Sequence, residues 1–129
     1  MARVMVVDDD PDLLALVEIQ LRQHGHLVSK ASSGAEALEV IAAKGAPDIA
    51  VLDVAMPGMN GFDLLKELRT RDSLKNLPVI FLSARVNPED VEAGRALDAV
   101  YLTKPYVMSA LLDTIDQLLK APAEVRRAN

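Results

Sequence analysis

Hydrophobic positions recur along this chain at two alternating periods. Uninterrupted runs without a charged residue at Val4–Val7, Ile49–Leu52 (within Asp48–Asp53) and Leu77–Leu82 each give way to a segment in which apolar residues return every three or four positions. A short run without polar breaks predicts a strand buried on both faces, and the wider spacing predicts an amphipathic helix. Leu27–Ala31 is half polar, which predicts a strand at or near a sheet edge, and Val100–Leu102 predicts a fifth short strand. The helices between them take their buried faces from Leu13, Leu14, Val17 and Leu21, then Ala37, Leu38, Ile41 and Ala42, then Leu64, Leu65 and Leu68. The fourth carries only Val91, Ala96 and Leu97, contains Gly94, and is expected to be the least firmly attached. The fifth, Val107 to Lys120, is amphipathic through Leu111, Leu112, Ile115, Leu118 and Leu119.

Local signals set the boundaries. Pro11 suits a first helical position because no amide partner is needed there, and His24-Gly25 closes that helix. Ser33 followed by Glu36 is a capping-box signature for the second helix, which stops at Gly45. Pro57-Gly58 and Asn60-Gly61 turn the chain out of the third strand into a helix starting near Phe62, whose Lys66, Glu67, Arg69 and Arg71 are expected to face water. Asn87-Pro88 with Asp90 reads as cap, first-turn proline and first-turn carboxylate. Ala121-Pro122 ends the last helix, so residues 1–121 read as one domain and 122–129 as a polar tail or the start of a linker. Five strand-then-helix units imply right-handed crossovers and an α/β fold with helices on both faces of a parallel sheet.

Composition narrows the function classes. At 129 residues the chain is long enough for one sizeable core. It has no apolar run of roughly 18 residues and Met1-Ala2-Arg3 leads straight into a strand, so neither a membrane span nor a signal peptide is expected. There is no cysteine, which removes disulfides, thiolate catalysis and thiolate-ligated metals and fits a cytoplasmic protein. A net charge of -5 with scattered basic residues argues against direct nucleic-acid binding. The two histidines bracket Gly25 without partners at ligand spacing and read as surface or helix-end residues.

The chemistry-bearing residues collect where strands end. Parallel strands bring Asp8-Asp9, Asp53, Ser83 and Lys104 to one edge, the edge at which α/β sheets bind ligands. Three carboxylates in one place repel one another unless a cation shares the site. Hard oxygen ligands with room for water suit Mg2+ best, with Mn2+ a chemical substitute and Ca2+ a poorer match. The plainer alternative is a solvated acidic loop, and Asp10 is read that way, as a helix cap. Carboxylates, a hydroxyl and an amine together equip a site for phosphoryl transfer onto oxygen. No Gly-Lys-Ser/Thr loop and no Gly-x-Gly-x-x-Gly exists to hold a nucleotide, and no histidine base or serine elbow is present.

With those residues in view, the span from about Arg3 to Lys120 resembles a bacterial two-component response-regulator receiver domain of the chemotaxis-regulator-like kind. The resemblance rests on Val6-Val7-Asp8-Asp9-Asp10-Pro11, Leu52 to Gly61, Val79 to Ala84 and Tyr101 to Tyr106, four motifs in the family's order and spacing. It implies a flavodoxin-like three-layer sandwich, five parallel strands in the order 2-1-3-4-5 with five helices. It implies that Asp53 is phosphorylated by a sensor histidine kinase or histidine phosphotransfer domain, that Asp8, Asp9, Asp53 and the Ala55 carbonyl hold Mg2+, that Ser83 and Lys104 bind phosphoryl oxygens, and that the Lys104-Pro105 bond is cis. Ser83 and Tyr101 would be the switch pair, the serine drawn to the phosphoryl group and the ring turning inward. Arg85 would contact the phosphoryl group or a partner; otherwise it is a solvated loop residue.

Departures from the family pattern carry their own expectations. Leu97-Asp98-Ala99-Val100 stands where a Gly-Ala-Asp-Asp run is usual, and Thr114 where winged-helix-type members place an arginine used in a homodimer, so that dimer is disfavoured. The leading function is a reversible phosphorylation switch acting on a downstream effector or a covalently linked output domain. A degenerate receiver serving as a constitutive interaction module is the alternative, and the intact set of five site residues argues against it. A small Mg-dependent phosphatase on a related fold would want an acid/base carboxylate where Ala55 stands.

Overall fold

In a computed structural model, which describes residues 2–83, 88–96, 99–104 and 108–120, the predicted alternation becomes five strands and five α-helices. In chain order these are β1 (Arg3–Val7), α1 (Pro11–Gln23), β2 (Leu27–Ala31), α2 (Gly34–Lys44), β3 (Ile49–Asp53), α3 (Gly61–Arg69), β4 (Val79–Ser83), α4 (Pro88–Ala96), β5 (Val100–Thr103) and α5 (Met108–Lys120), with one turn of 3-10 helix at Asp72–Leu74. All pairings are parallel and the strand order is β2-β1-β3-β4-β5, the flavodoxin-like topology expected from the resemblance. Every residue of β3 and β4 is buried, as uninterrupted apolar runs require of central strands. The edges β2 and β5 are largely half-buried or exposed, which is why β2 tolerates Ser29 and Lys30.

Alternate residues of each strand feed two separate cores. Met5, Val7, Leu52 and Phe81 face α2 and α3 through Ala37, Ile41, Leu64, Leu65 and Leu68. Val4, Val6, Val51, Ile80 and Leu82 face α1 and α5 through Leu14, Val17, Leu21, Leu111 and Ile115. Fully burying each such side chain contributes roughly 1.5–3 kcal/mol.

Local expectations fared unevenly. Asn60 rather than Ser33 carries the complete capping box: its side chain accepts from the Asp63 amide at 2.9 Å and the Asp63 carboxylate accepts from the Asn60 amide at 3.4 Å. Ser33 does accept from the Glu36 amide at 3.1 Å, but the Glu36 carboxylate accepts from the Ser32 hydroxyl instead of closing the box. Arg69 does not simply face water. Its guanidinium turns in to donate to the carbonyls of Leu74 (3.1 Å) and Leu77 (2.7 Å), fastening the 3-10 turn that buries Leu74. The Asn87 cap, Leu97, Asp98, the Lys104-Pro105 bond, and the tail lie outside the described residues.

At the opposite end of the sheet from the strand C-termini, Arg3 ties three elements together. Its amide donates to the Asp48 carboxylate at 2.8 Å, and its guanidinium donates to the carbonyls of Lys44 (2.9 Å) and Ala46 (3.3 Å), closing the end of α2. The bonds are exposed, so Arg3→Ala is expected to lower unfolding free energy by only about 0.5–1.5 kcal/mol in urea titration. A loss above twice that range would show that this latch also governs the sheet.

Candidate phosphoryl-transfer site

Three strand ends and one loop build the site. Parallel pairing sets Val7 beside Leu52 and Leu52 beside Phe81, so the residues just past β1, at the end of β3 and at the end of β4 reach one edge together. Asp8, Asp9 and Asp53 each offer a carboxylate oxygen, and these lie within 4.8 Å of one another. Asp8 and Asp53 are buried, at 3% and 6% exposure, while Asp9 is open to solvent. Lys104, in the exit of β5, bridges the buried pair with its Nζ 3.2 Å from Asp8 Oδ2 and 3.6 Å from Asp53 Oδ1. Its amide donates to the Ser83 carbonyl at 2.7 Å, which fixes the lysine's loop to the end of β4.

The acidic run after β1 divides its work. Asp10 caps α1, accepting from the amides of Asp12 and Leu13, as expected of a cap. Asp8 accepts from the Asp10 amide through Oδ1, and its own amide donates to the Ala31 carbonyl at the end of β2. Backbone bonds thus orient the Asp8 carboxylate, whose second oxygen meets Lys104. Behind Asp53 the chain is equally constrained. The Gly61 amide donates to the Val54 carbonyl at 2.9 Å, and a Cβ at Gly61 would collide with the Asp53 carbonyl oxygen, so only glycine lets α3 begin this close.

Electrostatics follow from that crowding. Burial and the neighbouring Asp8 charge raise the Asp53 pKa from 3.8 to about 6, with Lys104 and the Ala55 amide opposing the rise. Burial works against the Lys104 ammonium, but Asp53 and Asp8 outweigh it and its pKa is raised. The cluster therefore holds more negative charge than one lysine neutralises comfortably, and hard oxygen donors converging at this separation suit a small divalent cation. No histidine belongs to the metal-capable group found among the described residues.

Ser83 is fully buried at the end of β4, one residue past Leu82, the register partner of Asp53. Tyr101 pairs with Phe81 across β4 and β5 and is half-buried, its ring 6.1 Å from that of Phe81. Ala55 is exposed beside Asp53. Arg85 lies outside the described residues. The sequence reading missed the role of Gly61 and the seat of Gly94, where an added Cβ would stand 3.2 Å from the Tyr101 ring and 3.3 Å from that of Phe81. At Gly94 helix α4 lies flush against both rings.

Residues 4–116 match the family described as Response regulator receiver domain. The chain is 43% identical over 119 residues to the transcriptional regulatory protein PrrA of Mycobacterium bovis, covering 92% of this chain and 50% of PrrA. It is 35% identical over 120 residues to the protein PilH of Pseudomonas aeruginosa, covering 92% of this chain and 98% of PilH. Thus it spans about half the length of the PrrA-type relatives and nearly all of PilH. Among solved structures, chemotaxis protein CheY4 of Vibrio cholerae superposes with a TM-score of 0.85 at 33% identity, covering 92% of this chain and 98% of that one. The response regulator TrrA of Thermotoga maritima, in complex with Mg(2+)-BeF, superposes with a TM-score of 0.79 at 30% identity, covering 92% and 99%. No helix of the described residues is long and apolar enough to cross a membrane.

Proposed function

This chain belongs to the response-regulator receiver family, and from that premise we propose that it is a phosphorylation-driven signalling switch with Asp53 as phosphoacceptor. The observation that carries the assignment is the convergence of Asp8, Asp9 and Asp53 within 4.8 Å, with Lys104 spanning Asp8 and Asp53. Asp8, Asp9, Asp53 and the Ala55 carbonyl would hold Mg2+, an ion present in the Thermotoga relative's complex. Bound there, it would supply positive charge to offset that of the transferring phosphoryl group.

The chain's own residues have distinct parts. A carboxylate oxygen of Asp53 attacks the phosphorus of a phosphohistidine, the phosphorus–nitrogen bond breaks, and the donor imidazole leaves with the bonding electron pair. Asp53 is buried enough to exclude most water yet keeps a pKa near 6, so it is mainly ionised at neutral pH and able to attack. Lys104 meets the growing charge with an ammonium already held at the site, and the Ser83 hydroxyl donates to a phosphoryl oxygen. Hydrolysis reverses the state: water adds to phosphorus, the acyl phosphate bond breaks, and inorganic phosphate leaves the Asp53 carboxylate behind.

The donor is a sensor histidine kinase or a histidine phosphotransfer domain, and the receiver comprises residues 1–121 with 122–129 a tail or linker. The output is a downstream effector or a covalently linked domain; the half-length match to PrrA-type regulators supports the second arrangement and the near-complete match to PilH the first. The cysteine-free composition supports a cytoplasmic setting. Val100 and Thr114 on the α4, β5 and α5 surface favour a heterologous partner over the winged-helix-type homodimer, and Thr114 instead donates to the Ala110 carbonyl within its own helix.

Phosphorylation adds nearly two charges and three acceptor oxygens, which draw Ser83 and make room for the Tyr101 ring. Backbone amide shifts recorded with and without Mg2+ and beryllofluoride are expected to change from the site out to Val91–Ala96 and Val100–Tyr101. Ser83→Ala should blunt the distant changes in a folded protein. Changes confined to Asp8, Asp9, Asp53 and their loops would mean that phosphate binds without a signal, which would count against the switch.

A further inference from the structure

The β2–α2 junction touches both loops of the acidic site although it contributes no charged residue to it. On one side the Ala31 carbonyl accepts from the Asp8 amide at 3.2 Å. On the other, Gly34, buried in the first turn of α2, lies flush against Met59 in the loop that follows Asp53: a Cβ placed on Gly34 would stand 2.7 Å from Met59 Sδ and 3.0 Å from both Cβ and Cγ. Contact with Met59 Cβ matters more than contact with its flexible end. It means that loop 54–60, and not just a thioether, must give by a few tenths of an ångström to admit a methyl at position 34. Met59 is half-buried and packs against the core cluster that α2 and α3 share.

We propose that the junction from Ala31 to Gly34 is a brace for the phosphoryl-transfer site, with Gly34 the positioning residue that sets loop 54–60, and hence the Ala55 carbonyl, relative to Asp8 and Asp53. The inference rests on the proposed function for its consequence, and on the two contacts above for its geometry. Because the contact of α2 with the loop at Gly34 is uncharged, its effect falls on the ligand set and leaves the nucleophile and Lys104 chemically intact. Supporting residues of this kind hold ligands in their binding orientation.

A double-mutant cycle on Gly34→Ala and Met59→Ala tests the brace, read by Mg2+ titration in a calorimeter and by amide shifts of residues 54–60 in the Mg2+-free protein, with circular dichroism confirming the fold. Gly34→Ala is expected to raise the Mg2+ dissociation constant roughly tenfold and to move the loop shifts. Adding the same substitution to Met59→Ala should have a smaller effect on both, since Sδ and Cγ are gone and only the Cβ contact at 3.0 Å remains. At saturating Mg2+, labelling of Gly34→Ala by acetyl phosphate should recover to near the wild-type rate. Wild-type Mg2+ affinity in Gly34→Ala, or equal effects in both backgrounds, would overturn the brace. Should Gly34→Ala fail to fold, Met59→Ala alone decides: faster hydrogen exchange in loop 54–60 with weaker Mg2+ binding supports the brace, and unchanged values refute it. Wild-type labelling at Asp53, run in parallel, separates failure of the brace from failure of the functional assignment.

Discussion

Asp53→Asn is expected to abolish phosphorylation and, in the absence of Mg2+, to make the protein more stable. Intact-mass measurement after incubation with acetyl phosphate and Mg2+ should find one phosphoryl group on the wild type and none on the variant. Labelling of the variant at another residue to the same extent would remove Asp53 from its assigned role. The stability gain follows from the raised Asp53 pKa, from 3.8 to about 6, at a group only 6% exposed. A raised carboxylate pKa means that the folded state holds the proton more tightly than the unfolded one. Below about pH 4 both states are protonated and nothing is lost; as pH climbs from about 4 to about 6 the unfolded chain ionises first and stability falls, and above that window the full penalty remains. The shift corresponds to on the order of 2–3 kcal/mol, of which Asn should recover a part, about 1–2 kcal/mol, because it removes the charge beside Asp8 while leaving Lys104 its 3.2 Å partner. Urea titrations of wild type at pH 4.5 and 7.5 should therefore differ more than those of the variant, and Mg2+ should stabilise the wild type at pH 7.5. A variant that is less stable than wild type without Mg2+ would show that the Lys104–Asp53 pair outweighs the burial of charge.

The amino-acid sequence makes legible whatever a strand or helix determines along its own length. Val4–Val7, Ile49–Leu52 and Val79–Leu82 mark central strands because both faces must be apolar, and Asp8, Asp53 and Ser83 stand out because each breaks such a run at its C-terminal end. Parallel pairing then brings those ends together, so the site was legible in outline. Contacts between elements were not. The helical phase of Arg69 points to water, yet a long side chain at the last turn reaches the carbonyls of Leu74 and Leu77, which no periodicity encodes. The Ser33–Glu36 pattern named the wrong complete capping box because Ser32 competes for the Glu36 carboxylate, whereas Asn60 and Asp63 have the same chemistry three residues apart and carried a usable signal. Glycines were the least legible. Gly34, Gly61 and Gly94 look alike in sequence, and only the fold shows that each leaves room for a specific neighbour: Met59, the Asp53 backbone, and the rings of Phe81 and Tyr101.

Those rings set the second large effect. Phe81 lies wholly buried in the middle of β4, in edge-to-face contact with Phe62 at 4.9 Å and tilted against Tyr101 at 6.1 Å, with α4 closing over it at Gly94. Phe62 belongs to the first turn of α3, next to the glycine packed on the Asp53 carbonyl, and Tyr101 to the strand that leads to Lys104. Phe81 therefore sits between the phosphoacceptor's exit and the surface proposed to signal. Phe81→Ala is expected to cost about 3–5 kcal/mol, from lost burial and from a cavity that two central strands cannot collapse to fill. With no tryptophan in the chain, the loss is best read by circular dichroism in urea. A smaller change, Phe81→Leu, keeps most of the volume and should cost on the order of 1 kcal/mol, leaving phosphorylation at Asp53 intact while removing both aromatic contacts. The two substitutions then separate stability from signalling: if the row of rings carries the signal, Phe81→Leu will accept phosphate normally yet show weakened beryllofluoride-induced shifts at Val91–Ala96. Full shifts in Phe81→Leu, with Phe81→Ala destabilised as expected, would reduce the ring to a core residue and return the signal to Ser83.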